Sequence, residues 1–414
     1  MEWQRLMLDC GSPLYVCEMP HAHSLAQAAL VHVGTRDETW PQEAGLAHAL
    51  EHMMFQGAGP FPNSGVLAME IEKTGGWLNA WTSEEATAYH NCVPPECVED
   101  ALRVLAAQIY HPRFLEDKIE TEMSNIIEEI KMHKDNPLGH AARLFGQTIF
   151  GAHPLGKDTL GLKEALKSFK LKDFRSFHER FYHEKNLVFV VAGAIHRQDA
   201  LRLFNQHFTG SPFVSGRIVS SRTTEAATIV SSPSIVEEKE IDQANIVIGW
   251  VSAPASSRKA KVLRHFREMI GGGMGFPLFQ EVRDERGLCY SVKAFADSYT
   301  DSGVFFVYIG TDAKRVQEAL DAIHEVVSKH NTNQNLLEIV RRKTSGELKL
   351  SSETSAGILQ RALFEIASGQ EPQSFEEAMR EVESVTIGEV ESAVNQYLAR
   401  ESAVSVMIMP RTGV

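Results

Sequence analysis

The 414-residue chain has few cysteines. Its five (Cys10, Cys17, Cys92, Cys97 and Cys289) are odd in number and form no C-x-x-C pair. This argues against a disulfide framework and for a reducing compartment. Positive charge is also short: 41 Lys and Arg face 54 Asp and Glu, a formal charge of −13. Nucleic acid and anionic membrane surfaces are therefore poor partners, while basic peptides are permitted. No apolar stretch approaches the length of a bilayer span, so no membrane segment is expected. The first residues, Met1-Glu2-Trp3-Gln4-Arg5, lack a signal core and Arg/Ser-rich transit character, which favours a cytoplasmic setting. The glycine-rich stretch Gly271–Gly275 has no lysine in P-loop register, which argues against a phosphate site.

Against these absences stands His48-Ala49-Leu50-Glu51-His52. Positions i, i+3 and i+4 share one helical face, so two imidazoles can hold one metal ion with a carboxylate beside it. The order H-x-x-E-H marks the inverzincin zinc peptidases. Glu43–Gln56 reads as an amphipathic helix ended by Gly57-Ala58-Gly59-Pro60. A catalytic zinc takes three protein ligands and leaves one position open. An acidic helix predicted over Leu115–Lys134 offers the third, with Glu116, Glu120, Glu122, Glu128 and Glu129 as candidates.

Together, the H-x-x-E-H helix, a distant glutamate pair before Ile130, and Asn79-Ala80-Trp81-Thr82 between them resemble the pitrilysin/insulinase/mitochondrial processing peptidase superfamily. The resemblance implies His48, His52 and Glu129 as ligands of one Zn²⁺ per chain, with Glu128 the near competitor. It further implies Glu51 as general base, Glu122 as an orienting acid two helical turns before Glu129, and Asn79 and Ala80 on a substrate-binding edge strand. The likeness continues through Val31–Asp37, His153-Pro154-Leu155-Gly156 with Leu160-Gly161, and Asn186–Gly193. It extends to Gly271–Met274, Leu278–Arg283 and Arg286–Tyr290. The family's Arg/Tyr pair, seven residues apart, falls on Arg283 and Tyr290.

The chain reads as a duplication. A shift of 217 places His48 on His265, Glu51 on Glu268 and His52 on Met269, and a shift of 218 places Glu129–Met132 on Glu347–Leu350. Methionine cannot replace an imidazole for zinc, so the second copy is read as having lost the site, with His265 and Glu268 structural. Strands are expected near 13–19, 25–33, 77–82, 85–93 and 187–193, then near 235–240, 244–252, 289–297, 303–311 and 403–409. Long helices are expected over 313–330, 333–353 and 386–399. The fold class is α+β: two homologous α/β-sandwich domains, each a mostly antiparallel sheet covered by helices, with the helices on one side. The expected division is 1–208 for the metal-bearing domain, 209–234 for a Ser/Thr/Gly/Pro-rich linker, and 235–414 for the homologous domain carrying Arg283 and Tyr290.

These features predict a zinc-dependent endopeptidase acting on peptides or unfolded polypeptides. In the family such a pair faces the metal across a chamber of four homologous domains, and this chain supplies two. A homodimer is therefore expected, or a heterodimer with a paralogue. The competing functions are a non-catalytic scaffold subunit of the same superfamily and a metal-binding protein without hydrolysis. His90, beside Cys92, reads as a packed histidine rather than a ligand.

Overall fold

The structure, a computed structural model, describes residues 1–209, 219 and 234–411; most of the 209–234 segment lies outside the described residues. Two compact units emerge. The first comprises Met1–Ile130, the described part of Lys157–Arg222, and Leu348–Ala378. The second comprises Lys131–Gly156 and the described parts of Thr223–Glu347 and Met379–Val414. The halves expected at 1–208 and 235–414 thus exchange two segments.

The first unit is built on six strands: β1 (Trp3–Met7), β2 (Pro13–Glu18), β3 (Leu25–Val31), β4 (Trp77–Thr82), β5 (Thr87–Val93) and β6 (Leu187–Gly193). They lie in the order β1-β2-β6-β3-β5-β4. The β2–β6 pair is parallel and all others are antiparallel. The second unit carries β7 (Ser234–Lys239), β8 (Ala244–Ser252), β9 (Cys289–Ser298), β10 (Gly303–Thr311) and β11 (Val404–Pro410). Their order is β7-β11-β8-β10-β9, again with one parallel pair, β7–β11, at the same place. The second sheet therefore repeats β2-β6-β3-β5-β4 strand for strand, which is the duplication seen in the shifts of 217 and 218 residues.

Alternation along β3 shows how the first sheet is covered. Leu25, Ala29 and Val31 join the cluster that includes helix Leu46–Met54, helix Val98–Tyr110 and Phe174, Phe177 and Phe181 of helix Leu171–Phe181. Ala26, Ala28 and Leu30 face the opposite way, onto Leu359, Ala362, Leu363 and Ile366 of helix Ser355–Ala367. Both faces are covered, whereas helices on one side were expected. The covering helix comes from the second half of the chain. The second unit shows the reciprocal: Ala141, Phe145 and Ile149 of helix Pro137–Phe150 pack on Val247, Val404 and Val406, and the rings of Phe145 and Phe306 lie 5.3 Å apart. A strand with apolar residues on both faces must bury both, and β3 is buried at every position. Among the described residues no helix is long and apolar enough to cross a membrane.

Candidate metal centre

Helix Leu46–Met54 owes its place to an apolar majority and to its first turn. Leu46, Ala47, Ala49, Leu50, Met53 and Met54 are all at most 1% exposed. The helix starts after Gly45, whose φ of +88° is left-handed and whose missing Cβ would meet the backbone of Leu160 and Gly161 at 2.8 Å. That close approach ties the helix to the Leu160-Gly161 turn. The free amides of the first turn are met by a buried carboxylate: Gly45 and Ala47 N–H donate to Glu38 at 3.0 and 2.9 Å. Burial pushes the Glu38 carboxyl up to about 8, against the pull of those amides and of Lys157.

This fixed helix presents His48, Glu51 and His52. The two imidazoles meet edge to face, 4.7 Å between centroids. Helix Glu116–Asp135 supplies the acids. Oε2 of Glu129 lies 3.8 Å from His48 Nε2 and 3.9 Å from His52 Nε2. The candidate ligand atoms of the three residues all lie within 4.8 Å of one another, the only such group of three or more among the described residues. Glu128, the near competitor, is exposed and outside the group. Two imidazole nitrogens and one carboxylate oxygen suit zinc, and the two Glu129 spacings exceed the ~3.3 Å edge of a zinc tetrahedron by about half an ångström. His52 is oriented from behind: Nδ1 lies 3.3 Å from Glu122 Oε2, and Gln56 donates to Glu122 Oε1 at 2.9 Å. A proton held on Nδ1 leaves the Nε2 lone pair facing Glu129, the arrangement that metal-binding histidines use. The residues present therefore fit a zinc ion.

Glu51 stands outside this donor set. Its Oε2 accepts a 2.5 Å hydrogen bond from the Thr82 hydroxyl. Burial raises its carboxyl above the ordinary range, opposed by Thr82 and His52 and aided by Glu129. Asn79 and Ala80 lie on β4, the edge of the sheet. The Ala80 N–H is bound to the Asn79 side chain at 2.9 Å. His90, on neighbouring β5, is buried against Trp77, and desolvation holds its imidazole down at about 4.

Arg283 and Tyr290 lie in the second unit and meet each other. Arg283 lies in the last turn of a π-helical segment, Leu278–Glu285, with its guanidinium 4.7 Å from the Tyr290 ring centroid and 4.4 Å from that of Phe279. Tyr290 is 77% exposed. They line a cavity of about 620 Å³ together with the Gly271–Gly273 turn and β9.

At the duplicated position the second unit has no imidazole pair. Met269 is wholly buried, and His265 Nδ1 donates to the Lys261 carbonyl at 2.9 Å. Glu268, which matches Glu51, and Glu347, which matches Glu129, are bridged by one ammonium: Lys343 Nζ lies 2.8 and 2.6 Å from them. Arg267 adds a second cation 2.5 Å from Glu268. His265 and Glu268 are thus held by structural contacts.

Sequence reasoning missed Glu38, Gln56, Thr82 and Lys343. Gln56 was open to it, one helical turn beyond His52, and Thr82 sits two positions after Ala80 on the same strand face. Glu38 and Lys343 carry no local signal.

Residues 16–162 match the family described as Insulinase (Peptidase family M16), and residues 168–343 match Peptidase M16 inactive domain, in keeping with the lost donor set of the second unit. An uncharacterized zinc protease of Rickettsia felis is 30% identical over 344 residues, covering 81% of this chain and 80% of that protein. One of Bacillus subtilis is 29% identical over 392 residues, 94% of each chain. In fold, a protease from Helicobacter pylori superposes with a TM-score of 0.90 at 20% identity over 99% of each chain. On the strength of these matches along nearly its whole length, the chain belongs to the M16 (insulinase) family of peptidases.

Proposed function

We propose that the chain is a zinc-dependent endopeptidase acting on peptides or unfolded polypeptides, with one zinc ion held by His48, His52 and Glu129. The observation that carries this reading is the convergence of those three side chains around a common point while Glu51, one helical turn from His48, keeps a carboxylate free of them. Zinc, when bound, supplies a Lewis acid that polarises the scissile carbonyl and makes water easier to ionise. Glu51 takes the proton of the attacking water and hands it to the leaving amine. Glu122 orients His52. The substrate backbone pairs with the open edge of β4 by main-chain hydrogen bonds, taking over the Ala80 N–H that Asn79 caps in the free chain.

Arg283 and Tyr290 complete the reading. In a homodimer, a partner's second unit brings this pair to the metal site, where Tyr290 donates to the developing oxyanion and Arg283 holds a substrate carbonyl. A paralogue with the same pair would serve equally. The acidic chain and the free thiols agree with basic peptide substrates in a reducing, cytoplasmic setting.

The test is cleavage of an internally quenched peptide pool. Hydrolysis is expected, abolished by a chelator, restored by zinc and lost in Glu51→Gln. No cleavage with zinc bound is the outcome for a scaffold or a metal-storing chain, and would overturn the proposal.

A further inference from the structure

Glu51 accepts from a single side chain among the described residues, and that donor lies on another element. Thr82 is the last residue of β4, paired with Thr87 on β5. The turn that follows is tight: Ser83 N–H donates to the Ala86 carbonyl at 2.8 Å and the Ser83 hydroxyl to the same carbonyl at 3.0 Å. The backbone of Thr82 is therefore held on both sides, and its β-branched side chain is stiff at χ1. Glu51 is the opposite case, a long side chain whose terminal torsion is broad.

We infer that Thr82 is a positioning residue for the general base. Its hydroxyl tethers Oε2 of Glu51, so the carboxylate plane is set and Oε1 is left as the atom that receives the proton from water. Ala80 and Thr82 share a face of β4 by the two-residue period of a strand. The strand that takes the substrate backbone is then also the strand that aims the base, and the scissile peptide and Glu51 are registered by one element. This inference rests on the endopeptidase reading and gives that reading a second residue whose role is orientation alone.

The experiment compares Thr82→Val, Thr82→Ser and Glu51→Gln in the full chain, with zinc content and thermal midpoint measured on each. Valine keeps the branched shape and strand preference and removes only the donor. The expected result is a kcat lower by roughly 10- to 100-fold, as for a misaligned reacting group, with KM, zinc content and thermal midpoint close to those of the unaltered chain. Thr82→Ser should recover most of the lost kcat. A Thr82→Val chain with full kcat overturns the inference, as does a Thr82→Ser chain as slow as the valine variant. If Glu51→Gln is inactive in the same assay, either outcome removes the role of Thr82 alone. If Glu51→Gln is fully active, the endopeptidase mechanism itself fails.

Discussion

Nδ1 of His52 lies 3.3 Å from Oε2 of Glu122, on the side of the ring away from Glu129. A carboxylate at that place fixes the tautomer and raises the basicity of the coordinating nitrogen. Replacing Glu122 with glutamine should weaken zinc binding by about 10- to 100-fold, read by competition against a chelating dye, while the fold is kept. Unchanged affinity would show that Glu122 does not orient the ligand.

The shared chamber makes a prediction about mixtures. A Glu51→Gln chain and a Tyr290→Phe chain should each be slow alone, the first by roughly 10²- to 10⁴-fold, the range for a lost general base. Mixed and allowed to exchange subunits, they should regain activity, because one hybrid site then has both an intact base and an intact tyrosine. Exchange demonstrated by mass, with no recovery of cleavage, contradicts the dimeric arrangement.

Lys343 answers two acids at the position where the first unit gathers its metal ligands. Lys343→Met leaves Glu268 and Glu347 facing each other with only Arg267 in reply to Glu268. It should cost up to about 1 kcal/mol, since Glu268 keeps Arg267 and the Glu347 carboxylate is solvated, as a lower urea midpoint. The zinc count should stay at one per chain in this variant, since Met269 supplies no ligand. A second equivalent of zinc would contradict the structural role given to His265 and Glu268.

His178, like His90, is a buried histidine that weakens the first unit in acid. His178 donates through Nε2 to the Ile109 carbonyl at 2.8 Å, and burial holds its imidazole down at about 4. The unfolded chain takes up a proton near 6.5 that the folded chain refuses until about 4. Stability from this group is complete above 6.5 and falls as the pH drops toward 4, by on the order of 3 kcal/mol. Urea midpoints measured from pH 7.5 down to 4.5 should decline, and His178→Gln should flatten the decline. A slope unchanged in that variant would assign it to other groups.

Much of this architecture is legible in the residues. The uninterrupted apolar run at 187–193 and the aromatic-rich segment that follows the Gly75-Gly76 turn give β6 and β4 at those bounds. The expected second strand, 25–33, ends at Val31, and the expected fourth, 85–93, starts at Thr87, because the chain turns into bonds of its own around Gly34 and Ser83. β1 was missed because Trp-Gln-Arg-Leu-Met at a sheet edge has neither a clean alternation nor a full apolar run. Helices Ser355–Ala367 and Phe375–Ser384 were also missed. The exchange of Pro137–Phe150 and Ser355–Ala367 between halves was out of reach for a physical reason: an apolar helix face states that something will cover it, and the two duplicated sheets offer nearly the same surface. In the candidate site, the helical spacing carries His48, Glu51 and His52. Glu129 was separated from the chemically identical Glu128 by the family resemblance alone, and Thr82, whose contact with Glu51 crosses from strand to helix, needed the fold.

The most direct measurement is a zinc titration of the metal-free chain and its Glu51→Gln variant, followed by a peptide-cleavage assay on each. Both should bind one zinc per chain with similar affinity, and only the unaltered chain should hydrolyse peptide. A chain that binds no zinc, or a Glu51→Gln variant that cleaves as fast as the unaltered chain, would contradict the account.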